Sequence, residues 1–230
     1  RESAAFGVQA TLQGIDMPKV NSYKDGVVNR LYKGLQGLVK GRDITYVTGT
    51  GKLVGRDAVE VAGQTYRGRA VVLGTGSYAR SLPGLEIGGR IITSDQALQM
   101  DWVPKTAIVL GGGVIGVEFA SVWTSFGTEV TIVEALSHLV PAEDEACSKA
   151  LERAFRKRKI AFHTGVKFTS ATQDDSSVTV ALENGTSLTA DVLLVAVGRG
   201  PRTSGVGYEE NGVTLDRGSV PVDDHLQTNV

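Results

Sequence analysis

The sequence is poor in cysteine and has no long apolar segment, and these two scarcities exclude several classes of protein. Its 230 residues contain one cysteine, Cys147, so an internal disulfide framework is excluded and a reducing, cytoplasmic setting is expected. No apolar run approaches the length needed to cross a bilayer, and the first residues show no signal-peptide pattern. We therefore expect a cytoplasmic protein with no membrane partner.

An excess of charge of either sign is also missing. The chain has 24 Lys+Arg against 25 Asp+Glu, so bulk charge gives no reason to expect a nucleic-acid partner. His138, His163 and His225 lie far apart in the sequence, without the spacing of metal ligands, so no metal site is predicted. Cys147 has no second cysteine beside it, and no Ser-His-Asp pattern is present.

Glycine, by contrast, is abundant, and the clearest glycine pattern lies between two apolar runs. Ile108 to Leu110 form a short apolar run typical of a strand buried on both faces. A G-x-G-x-x-G pattern follows from Gly111 to Gly116, and Val130 to Glu134 predict a second strand. Between them, residues spaced by three and four predict one apolar helical stripe that ends before Gly127: Ile115, Phe119, Val122 and Phe126.

This strand, glycine turn, helix and strand predict a dinucleotide site. Gly111 allows the tight turn, Gly113 lets the backbone approach a pyrophosphate, and Gly116 lets the helix pack closely on the strand. The helix N-terminus offers unpaired N–H groups and a partial positive charge, which suit phosphate. Glu134, 18 residues after Gly116, can accept hydrogen bonds from a ribose diol and would repel a 2′-phosphate. The pattern favours NAD(H) over NADP(H), but the fingerprint itself does not separate NAD from FAD.

The residues before this region predict one helix. Asp16 is a candidate N-cap with Pro18 just inside the helix start. An apolar stripe continues towards Gly41 through Val20, Tyr23, Val27, Leu31, Leu35 and Leu38. A helix of this kind packs on its own core or on a partner, and we favour packing on the core.

From Ile44 the pattern changes to short β-rich segments separated by glycines. They predict an antiparallel meander that runs into a buried strand, Ala70 to Leu73. Gly74 to Ser77 follow this strand. Small residues at such a place permit close approach of a flat ligand, but a plain tight turn explains them equally well.

Several further elements are predicted downstream. Thr93-Ser94-Asp95 can cap a short helix through Met100, and Asp144 to Lys157 predict a longer helix. Asn184-Gly185 predicts a hairpin turn, and residues 191–197 predict a returning buried strand. The basic run that ends the longer helix is interpreted as a solvated face rather than a phosphate or protein site: Arg153, Arg156, Lys157, Arg158 and Lys159. Together these elements predict an α/β fold with a Rossmann-like parallel sheet and an antiparallel hairpin.

Taken in order, five segments resemble the pyridine nucleotide–disulfide oxidoreductases, and within them the dihydrolipoamide dehydrogenases of actinobacterial type. They are YKDGVVNRLYKGLQGLVKGR (23–42), AVVLGTGSYARSLPGL (70–85), AIVLGGGVIGVEFASVW (107–123), DVLLVAVGRGP (191–201) and VPVDDHLQTNV (220–230). The resemblance implies an NAD-binding domain at 96–203, flanked by parts of an FAD-binding domain at 1–95 and 204–230.

The resemblance also implies which residues touch each cofactor. The NAD set is Gly111, Gly112, Gly113, Val114, Ile115, Gly116, Val117, Glu118, Glu134, Phe168 and Gly198, and the FAD set is Gly51, Thr75, Gly76 and Ser77. By the same resemblance, Val114 gates nicotinamide access to the flavin, and Glu118 lies near the nicotinamide–flavin contact. Read without the resemblance, Glu118 is an ordinary exposed helix residue.

Two positions depart from the family pattern. Gly74 replaces the usual alanine of Ala-Thr-Gly, which should leave the backbone path intact. Arg202 replaces the usual asparagine after Gly-Arg-x-Pro, so a contact made by that asparagine is in doubt.

The family also carries parts that these residues lack. They are a first G-x-G-x-x-G for FAD, a C-x-x-x-x-C redox pair, a Gly-Asp element for the ribityl chain, and a domain with a His-Glu acid–base pair. The chain is therefore expected to be an internal fragment that binds NAD, retains FAD poorly, holds no catalytic residue of the parent reaction and does not turn over.

For the parent protein, the resemblance implies electron transfer from dihydrolipoamide through a disulfide and FAD to NAD. It further implies a homodimer within a 2-oxo acid dehydrogenase complex. Mercuric reductase, NADH oxidase and transhydrogenase share most of these motifs and remain alternatives. A module that binds NAD(H) without catalysis is an alternative of another class, and a chain that buries the helix at 18–40 against a partner is a third.

Overall fold

The computed structural model describes residues 3–230. By their contacts these residues form two compact units. The first unit holds the residues up to Val28 together with Ser81–Gly198, and the second holds Asn29–Arg80 and Arg199–Val230. The first unit contains the glycine pattern.

Four helices and thirteen strands are found among the described residues. The helices are α1 (Met17–Gly41), α2 (Ser94–Ala97), α3 (Val114–Phe126) and α4 (Glu145–Lys157), with 3-10 turns at Ser3–Phe6 and Glu209–Asn211. The strands are β1 (Gly51–Gly55), β2 (Ala58–Val61), β3 (Gln64–Arg67), β4 (Ser77–Ala79), β5 (Ile91–Ile92), β6 (Thr106–Leu110), β7 (Glu129–Glu134), β8 (Ala161–Thr164), β9 (Phe168–Gln173), β10 (Val178–Leu182), β11 (Ser187–Ala190), β12 (Val192–Val195) and β13 (Arg199–Pro201). Over residues 3–230, no helix has both the length and the apolar character needed to span a membrane.

The first unit is built on a five-stranded parallel sheet in the order β5-β12-β6-β7-β8. Its central strand β6 carries the predicted apolar run, and Ile108, Val109 and Leu110 are all buried. β7 is confirmed as the second strand, and Gly127 ends α3 in the left-handed conformation with φ of +106°. The predicted Rossmann-like sheet is therefore confirmed.

The buried face of α3 differs from the predicted one. Gly116, Val117, Ala120 and Trp123 are the buried residues of the helix. Of the predicted stripe, Phe119 and Phe126 are partly buried against the core, whereas Val122 is 47% exposed. Small residues let the helix lie close to the sheet, and Trp123 fills the space beyond them. The sequence pattern gave weight to large apolar side chains and so misjudged the contact face by about one residue.

The other face of the parallel sheet is covered by the predicted hairpin. β10 pairs antiparallel with both β9 and β11, and Gly185 turns between β10 and β11 with φ of +83°. Val178, Val180 and Leu182 of β10 are buried in one cluster with residues of β6 and β12. The alternating burial along β10 shows one face on the core and one towards solvent.

α1 begins as predicted, but its apolar stripe is not packed on the core. Asp16 accepts a hydrogen bond from the Lys19 N–H through Oδ1 at 3.1 Å, as expected of an N-cap. Only Met17 of the helix is buried, and the exposed fractions of Leu31 and Leu35 are 67% and 60%. The preference for packing on the core was wrong, because a helical period shows what could be buried but not against what.

In the second unit the predicted meander is confirmed, and the predicted buried strand after it is wrong. β1, β2 and β3 form an antiparallel sheet. Ala70 to Leu73 are irregular and Val72 is 93% exposed. Val71 and Leu73 pack against a small cluster around Leu53. Because no strand of the described residues pairs with this segment, its apolar sequence alone does not make it a strand.

The remaining predicted helices and strands are confirmed with small shifts. Thr93 caps α2 in a reciprocal box with Gln96, although α2 ends at Ala97. β12 ends at Val195, two residues before the end of the predicted strand. The basic run is largely exposed except for Arg158, which donates to Ser121 Oγ at 2.6 Å and thereby joins the end of α4 to α3.

Candidate functional site

The candidate site forms at the carboxyl ends of three neighbouring parallel strands. β6 lies between β12 and β7, and the glycine pattern begins directly after β6. Glu134 is the last residue of β7, and Gly198 follows β12 by three residues. Open α/β sheets bind their ligands at this edge, so the sheet brings most of the predicted NAD set to one place.

Two glycines of the pattern are required by packing. Gly111 has φ of +110°, and a Cβ there would overlap the Ala196 carbonyl oxygen. A Cβ on Gly116 would overlap the carbonyl oxygen of Gly111. These close contacts let α3 start directly above the end of β6. The two roles inferred from the sequence, a tight turn and a close helix approach, therefore have a visible steric cause.

Gly112 is held by hydrogen bonds at both its N–H and its carbonyl oxygen. Its N–H donates to Glu134 Oε2 at 2.6 Å, and its carbonyl oxygen accepts from the Val140 N–H at 2.8 Å. A Cβ on Gly112 would lie 2.7 Å from Leu139 Cδ2. The glycine loop is therefore fixed in one position by two segments that come from the β7 side.

Glu134 is a buried acid with a structural role of its own. It is 9% exposed, and besides Gly112 it accepts from the Leu136 N–H through Oε1 at 2.8 Å. Two backbone donors thus compensate for burying a carboxylate. Each carboxylate oxygen can still accept a further hydrogen bond, so these contacts leave capacity for a ribose diol.

Gly113, in contrast, faces open space. It is the N-cap of α3 with φ of −73°, and among the described residues no side chain caps this helix. A Cβ on Gly113 would meet no atom within 4 Å. The first N–H groups of α3 and the positive end of its dipole are thereby presented to whatever occupies that space, which is the arrangement that binds phosphate.

The other predicted residues of the helix divide between surface and core. Val114 is 53% exposed and Glu118 is exposed, so both are accessible on one side of α3. Ile115 is half-buried. Val117 is buried in the main core cluster, which packs α3 and α4 on the parallel sheet and includes Val109, Ile132 and Phe155. Within the NAD set, Val117 therefore packs rather than faces the open side of the loop.

Phe168 stands apart from the glycine loop. It begins β9, in the antiparallel sheet, and packs partly buried against the cluster that contains Ile108, Leu110 and Val133. Its position in β9 indicates packing beneath the hairpin rather than a place in the glycine loop.

The predicted FAD set lies in the second unit. Thr75 Oγ1 and the Tyr208 hydroxyl are 3.1 Å apart, and the Gly76 carbonyl accepts from the Arg202 N–H at 2.9 Å. Ser77 lies in β4, which pairs with β13. Gly51 begins β1 in the meander. The structure thus gathers Thr75, Gly76 and Ser77 in one strand-and-turn segment and places Gly51 in a separate sheet.

Arg202, which departs from the family pattern, uses its backbone here. Its N–H is the donor to Gly76, a contact that any residue except proline can make. The departure therefore leaves the hydrogen bond to the Gly76 turn intact.

Other candidate sites in the first unit lie elsewhere. One open cleft of about 690 Å³ is lined by Arg90, Trp102 and neighbouring residues, and another of about 500 Å³ borders Phe162 and His163 of β8. Neither is lined by residues of the glycine pattern. Over residues 3–230, no group of three or more potential metal ligands comes together.

The sequence interpretation missed the segment 135–140 that follows β7. Its Leu136 N–H binds Glu134, its Leu139 side chain covers Gly112, and its Val140 N–H binds the Gly112 carbonyl. Pro141 was the one signal available, since a residue before proline is disfavoured in the right-handed helical region. That signal indicated a break in regular structure but not a contact with the glycine loop.

Comparison with known proteins places this geometry in a family. The model of the pyridine nucleotide-disulphide oxidoreductases matches residues 2–230. The chain is similar to a mitochondrial dihydrolipoyl dehydrogenase of Dictyostelium discoideum, with 38% identity over 240 residues that cover 98% of this chain and 49% of the relative. It is similar to a dihydrolipoyl dehydrogenase of Bacillus subtilis, with 34% identity over 247 residues that cover 99% of this chain and 52% of the relative.

Solved structures agree with the sequence comparison. LpdA from Mycobacterium tuberculosis has a TM-score of 0.86 at 27% identity, and the match covers 100% of this chain and 52% of that one. The HOCl-induced flavoprotein disulfide reductase RclA from Escherichia coli has a TM-score of 0.83 at 29% identity, with coverage of 94% and 51%. The chain thus spans about half the length of the relatives it matches. On the family match, the chain belongs to the pyridine nucleotide-disulphide oxidoreductases.

Proposed function

We propose that the first unit binds NAD(H) with the pyrophosphate at the N-terminus of α3 and a ribose diol at Glu134. One observation supports this most: Gly113 opens an uncapped helix N-terminus beside a buried carboxylate that ends the next strand. The N–H donors match the pyrophosphate, and the carboxylate acceptor matches the ribose, in the adenosine diphosphate half of the cofactor. The family description, which names a pyridine nucleotide, agrees with it.

In this proposal the residues of the chain bind and orient the dinucleotide, and the nicotinamide when bound supplies the hydride-transfer chemistry. Gly113 leaves room for phosphate oxygens at the N–H groups of Val114 and Ile115. Gly111 and Gly116 set the height of α3 above the sheet. Val114 and Glu118 are exposed on the same helix, so they are accessible to the remainder of the dinucleotide.

Glu134 makes the proposal specific for NAD(H). A 2′-phosphate would bring negative charge to a buried carboxylate whose hydrogen-bond partners are the neutral N–H groups of Gly112 and Leu136. This repulsion and the loss of the hydrogen bonds from the ribose diol would both lower the affinity for NADPH. Isothermal calorimetry of the purified chain with NADH and NADPH tests this. We expect NADH to bind and NADPH to bind at least about tenfold more weakly, a difference of about 1.4 kcal/mol. Equal affinities would reject the role of Glu134.

For the whole protein, we propose a flavin-dependent oxidoreductase that passes electrons from dihydrolipoamide through a disulfide and FAD to NAD. The names of the similar proteins support this reading: dihydrolipoyl dehydrogenase for two relatives and flavoprotein disulfide reductase for one structure. A cytoplasmic homodimer within a 2-oxo acid dehydrogenase complex is part of this proposal. Mercuric reductase, NADH oxidase and transhydrogenase are the alternative activities, and steady-state assays of the full-length protein with each substrate separate them.

The 230 residues alone are proposed to act as a nucleotide-binding module without turnover. They contain a single cysteine, exposed Cys147, and a disulfide relay needs two. We also propose that they retain FAD poorly, since Gly51 and Thr75 to Ser77 supply only part of a flavin site. NAD-dependent oxidation of dihydrolipoamide by the purified 230 residues would contradict the first statement, and a flavin absorption band would contradict the second.

A further inference from the structure

Val140 is the most unusual backbone position near the glycine loop. Its φ is +45°, a left-handed conformation that is a clear outlier for a β-branched residue. It is also 8% exposed and belongs to the main core cluster. Strain of this kind persists only where the surroundings hold it in place, and it concentrates at functional sites.

Three hydrogen bonds hold Val140 in this conformation. Its N–H donates to the Gly112 carbonyl at 2.8 Å. Its own carbonyl accepts from the Glu143 N–H at 3.0 Å and from Ser148 Oγ at 3.3 Å. The left-handed turn is what allows the N–H of Val140 to point at the glycine loop while its carbonyl meets α4.

α4 provides the anchors for this segment. Ser148 and Phe155 are the buried residues of the helix, and Ser148 is fully buried. One turn further on, Glu152 Oε1 accepts from the Leu139 N–H at 3.2 Å. Leu151 and Phe155 of the same helix pack on the core as apolar residues. A serine at the fully buried position 148 is explained by its bond to Val140, because an apolar residue would suit that position better if packing alone mattered.

We infer that Val140 positions the Gly112 peptide, and that Ser148 and Glu152 of α4 set nucleotide affinity by holding Val140 and Leu139 in place. The inference rests on the proposed NAD(H) site, and it assigns positioning residues outside that site. Gly112 is clamped between Glu134 and Val140, so the direction of the next N–H groups, at Gly113 and Val114, depends on both. Removing the contacts that α4 makes through Ser148 and Glu152 should therefore misalign these N–H donors of the glycine loop, which Ser148 and Glu152 do not contact.

The test compares four variants in the purified chain. Ser148→Ala removes the bond to Val140, and Glu152→Ala removes the acceptor for Leu139. Glu152→Gln keeps an acceptor oxygen and is the conservative rescue. Lys149→Ala is the matched control, because Lys149 lies next to Ser148 on the same helix but is exposed and pairs with exposed Glu145 at 2.8 Å.

The first measurement is NADH affinity by calorimetry. Loss of one hydrogen bond of this kind corresponds to a loss of about fivefold in affinity, so we expect that loss for Ser148→Ala and for Glu152→Ala. Glu152→Gln and Lys149→Ala should stay within about twofold of the unchanged chain. Unchanged affinity in both alanine variants at Ser148 and Glu152, or an equal loss in Glu152→Gln, would overturn the inference.

The second measurement is amide exchange at Val140 without nucleotide, which separates this inference from the proposed function. Faster exchange in Ser148→Ala than in Lys149→Ala is expected, because the Val140 N–H is released when its turn loosens. If the unchanged chain fails to bind NADH, the proposed function fails by itself. Unchanged exchange at Val140 in Ser148→Ala would reject the positioning role, whether or not NADH binds.

Discussion

Replacing Glu134 with alanine should damage both the fold of the glycine loop and the binding of NADH. The carboxylate accepts from the Gly112 N–H at 2.6 Å and from the Leu136 N–H at 2.8 Å. Both donors lose their partner in Glu134→Ala. A buried donor left unpaired costs about 1–3 kcal/mol, so the two together should cost about 3 kcal/mol.

Thermal unfolding measures this cost. For a chain of this size, 1 kcal/mol corresponds to a shift in Tm of about 2–4 °C, so Glu134→Ala should unfold about 6–12 °C lower than the unchanged chain. Glu134→Gln retains one acceptor oxygen and should lose about half as much. Glu129→Ala is the control, because Glu129 begins the same strand and is exposed. Its Tm should change by less than about 2 °C.

NADH binding separates the two roles of Glu134. Glu134→Gln should bind NADH more weakly than the unchanged chain does. Its affinity for NADPH should rise relative to its affinity for NADH, because the repelling charge is gone. The reasoning is refuted if Glu134→Ala unfolds at the temperature of the unchanged chain and binds NADH equally well. Such a result would mean that neither the two N–H contacts nor the ribose contact contributes free energy.

Three other predictions concern the fold and one surface acid. Gly116→Ala should prevent α3 from seating on β6, since its Cβ would overlap the Gly111 carbonyl, and circular dichroism should show lost structure or a large fall in Tm. Trp123→Ala should cost about 3–5 kcal/mol because a buried side chain is removed, and urea unfolding measures it. The hydroxyl of Ser176, together with backbone N–H groups, lowers the pKa of Asp174 from 3.8 to about 2. Its contribution to stability is therefore present above about pH 4 and lost as pH falls towards 2, and in Ser176→Ala the NMR titration midpoint of Asp174 should rise towards 3.8.

The parts of the fold that the sequence predicted well are those specified by local chemistry. The apolar run from Ile108 to Leu110, the left-handed Gly127 and the hairpin at Asn184-Gly185 each depend on a few adjacent residues. Short-range rules of period and turn geometry are sufficient for such elements. The parallel sheet that joins them follows from the right-handed connection of strand, helix and strand.

The predictions that were wrong concern the packing of one part of the chain against another. α1 carries a helical stripe, and the segment from Ala70 to Leu73 was predicted as a buried strand, yet Leu31 and Val72 are exposed. A pattern reports that a residue could be buried, while burial needs a partner surface within reach. The contact face of α3 was misjudged for a related reason, because Gly116 and Ala120 pack closely while contributing little to any apolar pattern.

At the candidate site, the sequence indicated the ligand-facing elements and missed those that support them. Gly113 and Glu134 are identifiable from the spacing of the motif. The hydrogen bonds of Glu134 to Gly112 and Leu136 and the left-handed Val140 depend on how residues 135–140 fold back over the loop. No local rule predicts that path, since it arises from packing against α4.

The central claim is a pyrophosphate site at the open N-terminus of α3, and Gly113→Ala tests it most directly. The new Cβ meets no protein atom within 4 Å at a φ of −73°, so the fold should lose less than about 1 kcal/mol. Gly88→Ala is the control, since its Cβ would also meet open space away from the glycine loop. By calorimetry, we predict that Gly113→Ala loses at least about tenfold in NADH affinity with an unchanged Tm, whereas Gly88→Ala binds normally. Normal NADH binding by Gly113→Ala would contradict the account.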